Sequence, residues 1–137
     1  MRRFFADTFY WLALANPSDQ WHNRVIQIAS ALGVFSLVTT DEVLTEFLTG
    51  MAALGEHRRR EAIETVRDIL TDPLVTVCIQ THQTFLEGMA LYERRADKQY
   101  SLPDCVSMNT MREMGLTEIL TNDHHFTQEG FTVLIPK

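Results

Sequence analysis

Short apolar runs alternate with longer stretches of helical periodicity along this chain. Arg3-Phe4-Phe5-Ala6 is a compact aromatic run that predicts a buried first strand, and Asp7 ends it. Thr8–Ala15 is apolar at nearly every position and stops at Asn16-Pro17, a turn signal. A second helix starts near Ser18 or Asp19, both good caps; Trp21, Val25, Ile28, Ala29 and Leu32 keep its period, and Gly33 closes it. Val34–Val38 reads as the second strand. Thr39 and Glu42 have capping-box spacing before a helix whose stripe is Val43, Leu44, Phe47, Leu48 and Met51, weakening at Gly50 and Gly55.

Arg58–Leu70 is the next helix, closed by Thr71-Asp72-Pro73, and Leu74–Ile79 is the most strand-like run of all. Helices over Thr81–Lys98 and Pro103–Met114 follow, the latter capped by Gly115. Glu118–Thr121 is a short strand, Asp123–Gln128 a helical turn and Phe131–Ile135 a closing strand. The order βααβααβααβαβ predicts a mainly parallel sheet with helices on both faces, an α/β fold in three layers. With 137 residues and no repeat or low-complexity tract, one domain over 1–137 is expected.

Composition narrows the class. The apolar fraction of 45% suits a folded globular chain and argues against disorder. No apolar run approaches the roughly 18–20 residues that span a bilayer, so no membrane association is expected. The basic start at Arg2-Arg3 meets Asp7 before any long apolar stretch, which argues against a signal peptide. Cys78 and Cys105 are far apart and outside any CxxC, as in a free-thiol protein of the reducing cytoplasm. A net charge of −6 argues mildly against a nonspecific nucleic-acid coat, without excluding a nuclease whose acids hold metal. Arg58, Arg59 and Arg60, and Arg94 and Arg95 with Lys98, are the basic clusters; each alone is more simply a solvated helix end, and RNA backbone contact by one of them is about as expected as not.

Four acids change the picture. Asp7, Glu46, Asp104 and Asp123 each follow a segment that reads as a strand or lie just beyond one, and in a parallel α/β sheet such positions gather on one edge. Each has a plainer role open to it. Asp7 and Asp123 can cap the helices after them, Ser101 and Asp104 have capping-box spacing, and Glu46 lies opposite its helix's apolar stripe, where the wheel exposes it to solvent. Against this, Leu102, Cys105, Val106, Met108, Met111 and Met114 make the helix of Asp104 apolar on more than one side, and Arg112 is two turns away. Buried carboxylates need partners.

Two carboxylates about 6 Å apart repel by roughly 3 kcal/mol at an effective dielectric near 20, so several together call for a proton or a metal. Carboxylates without thiolates select Mg²⁺ or Mn²⁺ over zinc. Such ions suit phosphodiester hydrolysis by water. His124 and His125 project differently from a turn, so at most one reaches the acids, and a surface pair is the plainer expectation. Cys105 lacks a paired base and reads as a buried structural thiol.

Together Asp7-Thr8 after the first strand, Thr40-x-x-Val43-Leu44-x-Glu46, Ser101-x-x-Asp104, and Leu120-Thr121-x-Asp123-x-x-Phe126 with Gly130-Phe131 resemble the PIN domain. They are closest to its VapC-like ribonuclease toxins of type II toxin–antitoxin systems, and the resemblance runs from Phe4 to the last strand. It implies an α/β/α sandwich and a Mg²⁺- or Mn²⁺-dependent endoribonuclease with Asp7, Glu46, Asp104 and Asp123 as its acidic quartet. Asp7, Asp104 and Asp123 would hold the ion and Glu46 would complete the shell or orient the attacking water. The resemblance, not the wheel, selects Glu46 over Glu42. Thr8 would hold a hydroxyl beside the site and Ser101 would support the loop before Asp104. It also implies an RNA substrate, a cognate antitoxin and a homodimer. Where some members carry a further acid, this chain has His124 and His125.

Other classes fit less well. A receiver-like module wants an acidic pair after the first strand and a late lysine, yet Asp7 is alone and no lysine lies between Lys98 and Lys137. Haloacid-type phosphatases want Asp-x-Asp, which Asp7-Thr8-Phe9 lacks. A PIN-like module that has lost catalysis and binds RNA or protein remains the alternative.

Overall fold

A computed structural model describes residues 1–137. Its elements are β1 (Arg2–Ala6), α1 (Thr8–Ala15), α2 (His22–Leu32), β2 (Phe35–Thr40), α3 (Asp41–Ala52), α4 (Glu56–Thr71), β3 (Val75–Cys78), α5 (His82–Arg94), α6 (Leu102–Glu113), β4 (Glu118–Leu120), α7 (His124–Gln128) and β5 (Thr132–Val133). The expected order is reproduced, and the fold is the three-layer α/β/α sandwich.

All pairings in the sheet are parallel, in the order β3-β2-β1-β4-β5. The chain therefore moves outward from β1 through β2 to β3, then returns past β1 to add β4 and β5. That reversal separates the helices into two groups. Helices α1 to α4 pack on one another, and α5 packs on α6. Phe4 and Phe5 of the central strand are wholly buried, as are Phe47, Met51, Met108, Met111, Ile119, Leu120 and Phe126 around them.

Local chemistry explains the boundaries. Thr40, not Thr39, caps α3 by accepting from the Val43 N–H at 3.1 Å. Thr39 is turned inward, where its hydroxyl donates to Ala6 O at 2.9 Å, so the expected Thr39–Glu42 box does not form. Asp19 serves an Asx turn, accepting from Trp21 N at 2.7 Å, which delays α2 to His22. Helix α5 ends at Arg94 rather than Lys98. At the end of α6, Leu116 N donates to Met111 O at 2.8 Å and Gly115 N to Arg112 O at 3.2 Å. This Schellman closure uses the left-handed φ of +66° at Gly115 and turns the chain into β4. Helices α5 and α6 approach closely at Gly88, where a Cβ would sit 2.8 Å from Val106 Cγ2.

Candidate metal centre

Sheet order determines where the acids meet. Connections leaving β1 and β4 run to opposite sides, so a crevice opens between their C-terminal ends. Register sets Ala6 beside Leu120 there, which brings Asp7 and Thr121 together. Thr121 Oγ1 donates to Asp7 Oδ2 at 2.8 Å and accepts from Asp123 N at 3.2 Å. Asp7 occupies the N-cap position of α1, yet its carboxylate makes no capping bond. It is held in the crevice instead, with only 8% of the residue exposed.

The other acids arrive from three helices. Packing of α1 on α3 turns Glu46 toward the end of β1, where Thr8 Oγ1 donates to Glu46 Oε1 at 2.9 Å. The helical wheel misplaced this residue in solvent because it saw one apolar stripe and not the neighbouring helix on its flank. Asp104 combines both of its possible roles. Ser101 and Asp104 form a reciprocal capping box, each backbone N–H donating to the other side chain at 3.1 Å, and Asp104 also faces the acid cluster. Asp123 caps α7 through His125 N at 2.9 Å.

Electrostatics tie the four together. Burial, followed by repulsion from Asp104 and Glu46, pushes Asp7 up to about 7 despite the Thr121 hydrogen bond. Burial raises Glu46, with Asp104 adding to the effect; burial raises Asp104, with Asp123 adding to it. The ion pairs formed by arginines and by Lys98 involve other acids, so no such cation offsets this cluster. The donor set is oxygen-rich, partly buried and short of positive charge. It fits a hard divalent ion held by Asp7, Asp104 and Asp123, with Glu46 alongside.

Several neighbours had no assigned role in the sequence. His124 is a surface residue, as expected, with 68% of its side chain exposed. His125 is not. Its side chain is 19% exposed, and Nδ1 points at the acids, 3.1 Å from Asp123 Oδ1 and 4.0 Å from Asp104 Oδ2. Its ring meets that of Tyr100 edge-on at 5.5 Å. Tyr100 in turn donates to Glu129 Oε2 at 3.0 Å, and Arg95 and Arg112 pair with the same carboxylate at 2.9 Å each. Burial alone would raise Glu129, but these three donors hold it below the ordinary carboxylate range. The only sequence signal for this clamp was a lone acid beside Gly130.

Of the arginines considered for RNA contact, Arg95 is engaged with Glu129 and Arg58 pairs with Glu61 at 2.8 Å. Arg59 and Arg94 are exposed and form no ion pair. Both cysteines are free, and burial together with Asp104 pushes Cys105 up to about 11, as suits a structural thiol. No helix is long and apolar enough to cross a membrane. Tyr10 and Trp11 are core residues. They line an apolar cleft of about 320 Å³ that opens where β2 and β3 begin, at the opposite edge from the acids.

Comparison with known proteins agrees with this fold. A model of the PIN domain family matches residues 4–131. Over 137 residues the chain is 31% identical to the 23S rRNA-specific endonuclease VapC20 of Mycobacterium tuberculosis, covering 97% of this chain and 98% of that protein. The crystal structure of that VapC20, described as a sarcin-ricin loop cleaving toxin, matches with a TM-score of 0.83 at 24% identity, covering 94% of this chain and 96% of its own. FitAcB of Neisseria gonorrhoeae shares the fold more distantly, with a TM-score of 0.66 at 15% identity and 95% of each chain covered. The chain belongs to the PIN domain family.

Proposed function

We propose that this protein is a divalent-metal-dependent endoribonuclease, the toxin of a type II toxin–antitoxin pair, acting on a structured ribosomal RNA loop in the cytoplasm. The observation that carries the reading is the convergence of Asp7, Glu46, Asp104 and Asp123 at one sheet crevice without a lysine or arginine partner. Its near full-length relationship to a 23S rRNA-specific endonuclease supports the substrate class.

Asp7, Asp104 and Asp123 would hold Mg²⁺ or Mn²⁺. When bound, such an ion lowers the pKa of water and stabilises charge at phosphorus. Glu46, held by the Thr8 hydroxyl, would complete the shell or orient the attacking water. Ser101 keeps Asp104 at the head of α6, and Thr121 keeps Asp7 at the end of β1. Water oxygen bonds to phosphorus, the P–O3′ bond breaks and the proton passes to the departing O3′. The products are a 5′-phosphate and a 3′-hydroxyl, and the ribose 2′-OH is not consumed. Of the arginines considered for RNA contact, Arg59 and Arg94 are free to meet phosphates.

Protein partners are a cognate antitoxin and a second copy of the chain. Phe85, Leu86, Met89 and Tyr92 leave a partly exposed apolar face on α5 that supports such contacts. Met89 and Tyr92 also line a groove reaching Ser101, close to Asp104. End-group analysis tests the reaction directly. A sarcin–ricin-loop oligonucleotide treated with the protein and Mg²⁺ should yield 5′-phosphate and 3′-hydroxyl ends. A 2′,3′-cyclic phosphate, or loss of cleavage when the nucleotide 5′ of the cut carries a 2′-deoxy sugar, would contradict it.

A further inference from the structure

Two histidines, His124 and His125, lie with Asp123 at ligand spacing beside the acid cluster, and the quartet uses neither. His125 Nδ1 is fully buried and lacks a hydrogen-bond partner, because the Asp123 oxygen 3.1 Å away lies outside hydrogen-bond geometry. Orphaned buried polar atoms are rare in folded proteins and call for an explanation. The ring cannot easily turn away, since Tyr100 abuts it and is itself held by Glu129.

The spacing supplies the explanation. Neighbouring ligands of an octahedral ion with bonds of about 2.1 Å lie about 3 Å apart. The separation of His125 Nδ1 and Asp123 Oδ1 matches that edge, and Asp104 Oδ2 is 4.0 Å from the same nitrogen. A pair too poorly aligned to hydrogen-bond is thus well spaced to share an ion. His124 differs: its Nδ1 is 4.0 Å from Asp123 Oδ1 and its ring is largely in solvent.

We propose that His125 Nδ1 is a direct ligand of the ion held by Asp104 and Asp123, and that this nitrogen makes the site select Mn²⁺ over Mg²⁺. The inference rests on the metal-dependent reading above. Mn²⁺ shares the preference of Mg²⁺ for oxygen and is the weakest binder of the first-row series, but it accepts imidazole more readily than Mg²⁺ does, so one nitrogen in an oxygen set shifts the balance toward it.

Electron spin-echo modulation of MnCl₂ bound to the full chain tests this without reference to activity. Wild type should show ¹⁴N coupling, replaced by ¹⁵N coupling in protein grown with ¹⁵N-histidine. His124→Gln should retain the coupling and His125→Gln should lose it. Of the five histidines, His22, His57 and His82 sit on α2, α4 and α5, outside the cluster. By calorimetry, His125→Gln should weaken Mn²⁺ binding about ten- to a hundredfold, the scale of disturbing a metal-site ligand shell, while Mg²⁺ changes by less than about twofold. Bound Mn²⁺ without nitrogen coupling in wild type, or coupling that survives in His125→Gln, overturns the histidine assignment and leaves the metal site standing. No Mn²⁺ binding to wild type overturns both. Should His125→Gln fail to fold, the labelled wild type and His124→Gln decide the matter alone.

Discussion

Thr121 Oγ1 donates to Asp7 Oδ2 across the junction of β1 and β4, at 2.8 Å. Both side chains are buried, and the same Thr121 oxygen accepts from Asp123 N. One hydroxyl thus couples two acids that are 116 residues apart in sequence. Losing it leaves a buried carboxylate short of its donor. Thr121→Val should destabilise the protein by about 1–3 kcal/mol, the range for hydrogen bonds to charged groups and for stranded polar atoms. Urea unfolding should show the loss to be larger at pH 8, where Asp7 is ionised, than at pH 5. Thr121→Ser should recover most of it.

Asp7 makes the metal-free protein less stable as pH rises. Its folded pKa is about 7 against an ordinary 3.8, so between these values the folded state binds more protons than the unfolded state. Stability therefore falls from about pH 4 to pH 7 and levels off above, by at most roughly 4 kcal/mol on linkage arithmetic. Thermal unfolding in EDTA should show this trend, and Asp7→Asn should flatten it and raise the midpoint at pH 8. Saturating Mg²⁺ should raise the wild-type midpoint more at pH 8 than at pH 5. A midpoint in EDTA that rises from pH 5 to pH 8 equally in both proteins would contradict this assignment.

Glu129 acts in the opposite sense. Its folded pKa is depressed, so its contribution is full above the ordinary carboxylate range and is lost as pH falls through the folded value. Glu129→Gln should cost about 2 kcal/mol at pH 7, discounted because Arg95 and Arg112 are partly exposed and rehydrate. The difference from wild type should shrink in acid. The clamp also holds Tyr100, the residue before Ser101, so the substitution should broaden the NMR signals of Tyr100 and His125.

Gly88 fixes the distance between α5 and α6, and α6 carries Asp104. Gly88→Leu drives a side chain into Val106 and should destabilise by about 1–3 kcal/mol, as overpacking does. Chemical denaturation measures this; an unchanged midpoint would mean that the helices separate freely.

Element order and element types were legible in the sequence because each strand is a short apolar run bounded by turn or cap residues; the order of strands within the sheet was not. Asp7 was legible for the same reason, lying at the end of a run with no partner nearby. What escaped depends on contacts distant in sequence. Helix α5 stops at Arg94 and the next residue turns to Glu129, 34 positions on, which no local signal announces. Glu46 looked exposed because its partner Thr8 comes from another helix, 38 positions away. His125 resembled a surface residue until Tyr100 and the acids were placed around it. The closing strand is short at Thr132–Val133, though Leu134 N and Ile135 N extend its bonding to Ile119 O and Thr121 O.

The most direct test of the central claim is cleavage of a sarcin–ricin-loop RNA by the purified protein and by Asp7→Asn, each in EDTA, Mg²⁺ and Mn²⁺. Wild type should cut at one position only when either ion is present, and Asp7→Asn should lose at least about a hundredfold in rate, on the scale of removing a group that stabilises a transition state. Equal cutting by both proteins, or cutting that persists in EDTA, would contradict the assignment of this acid crevice as the nuclease centre.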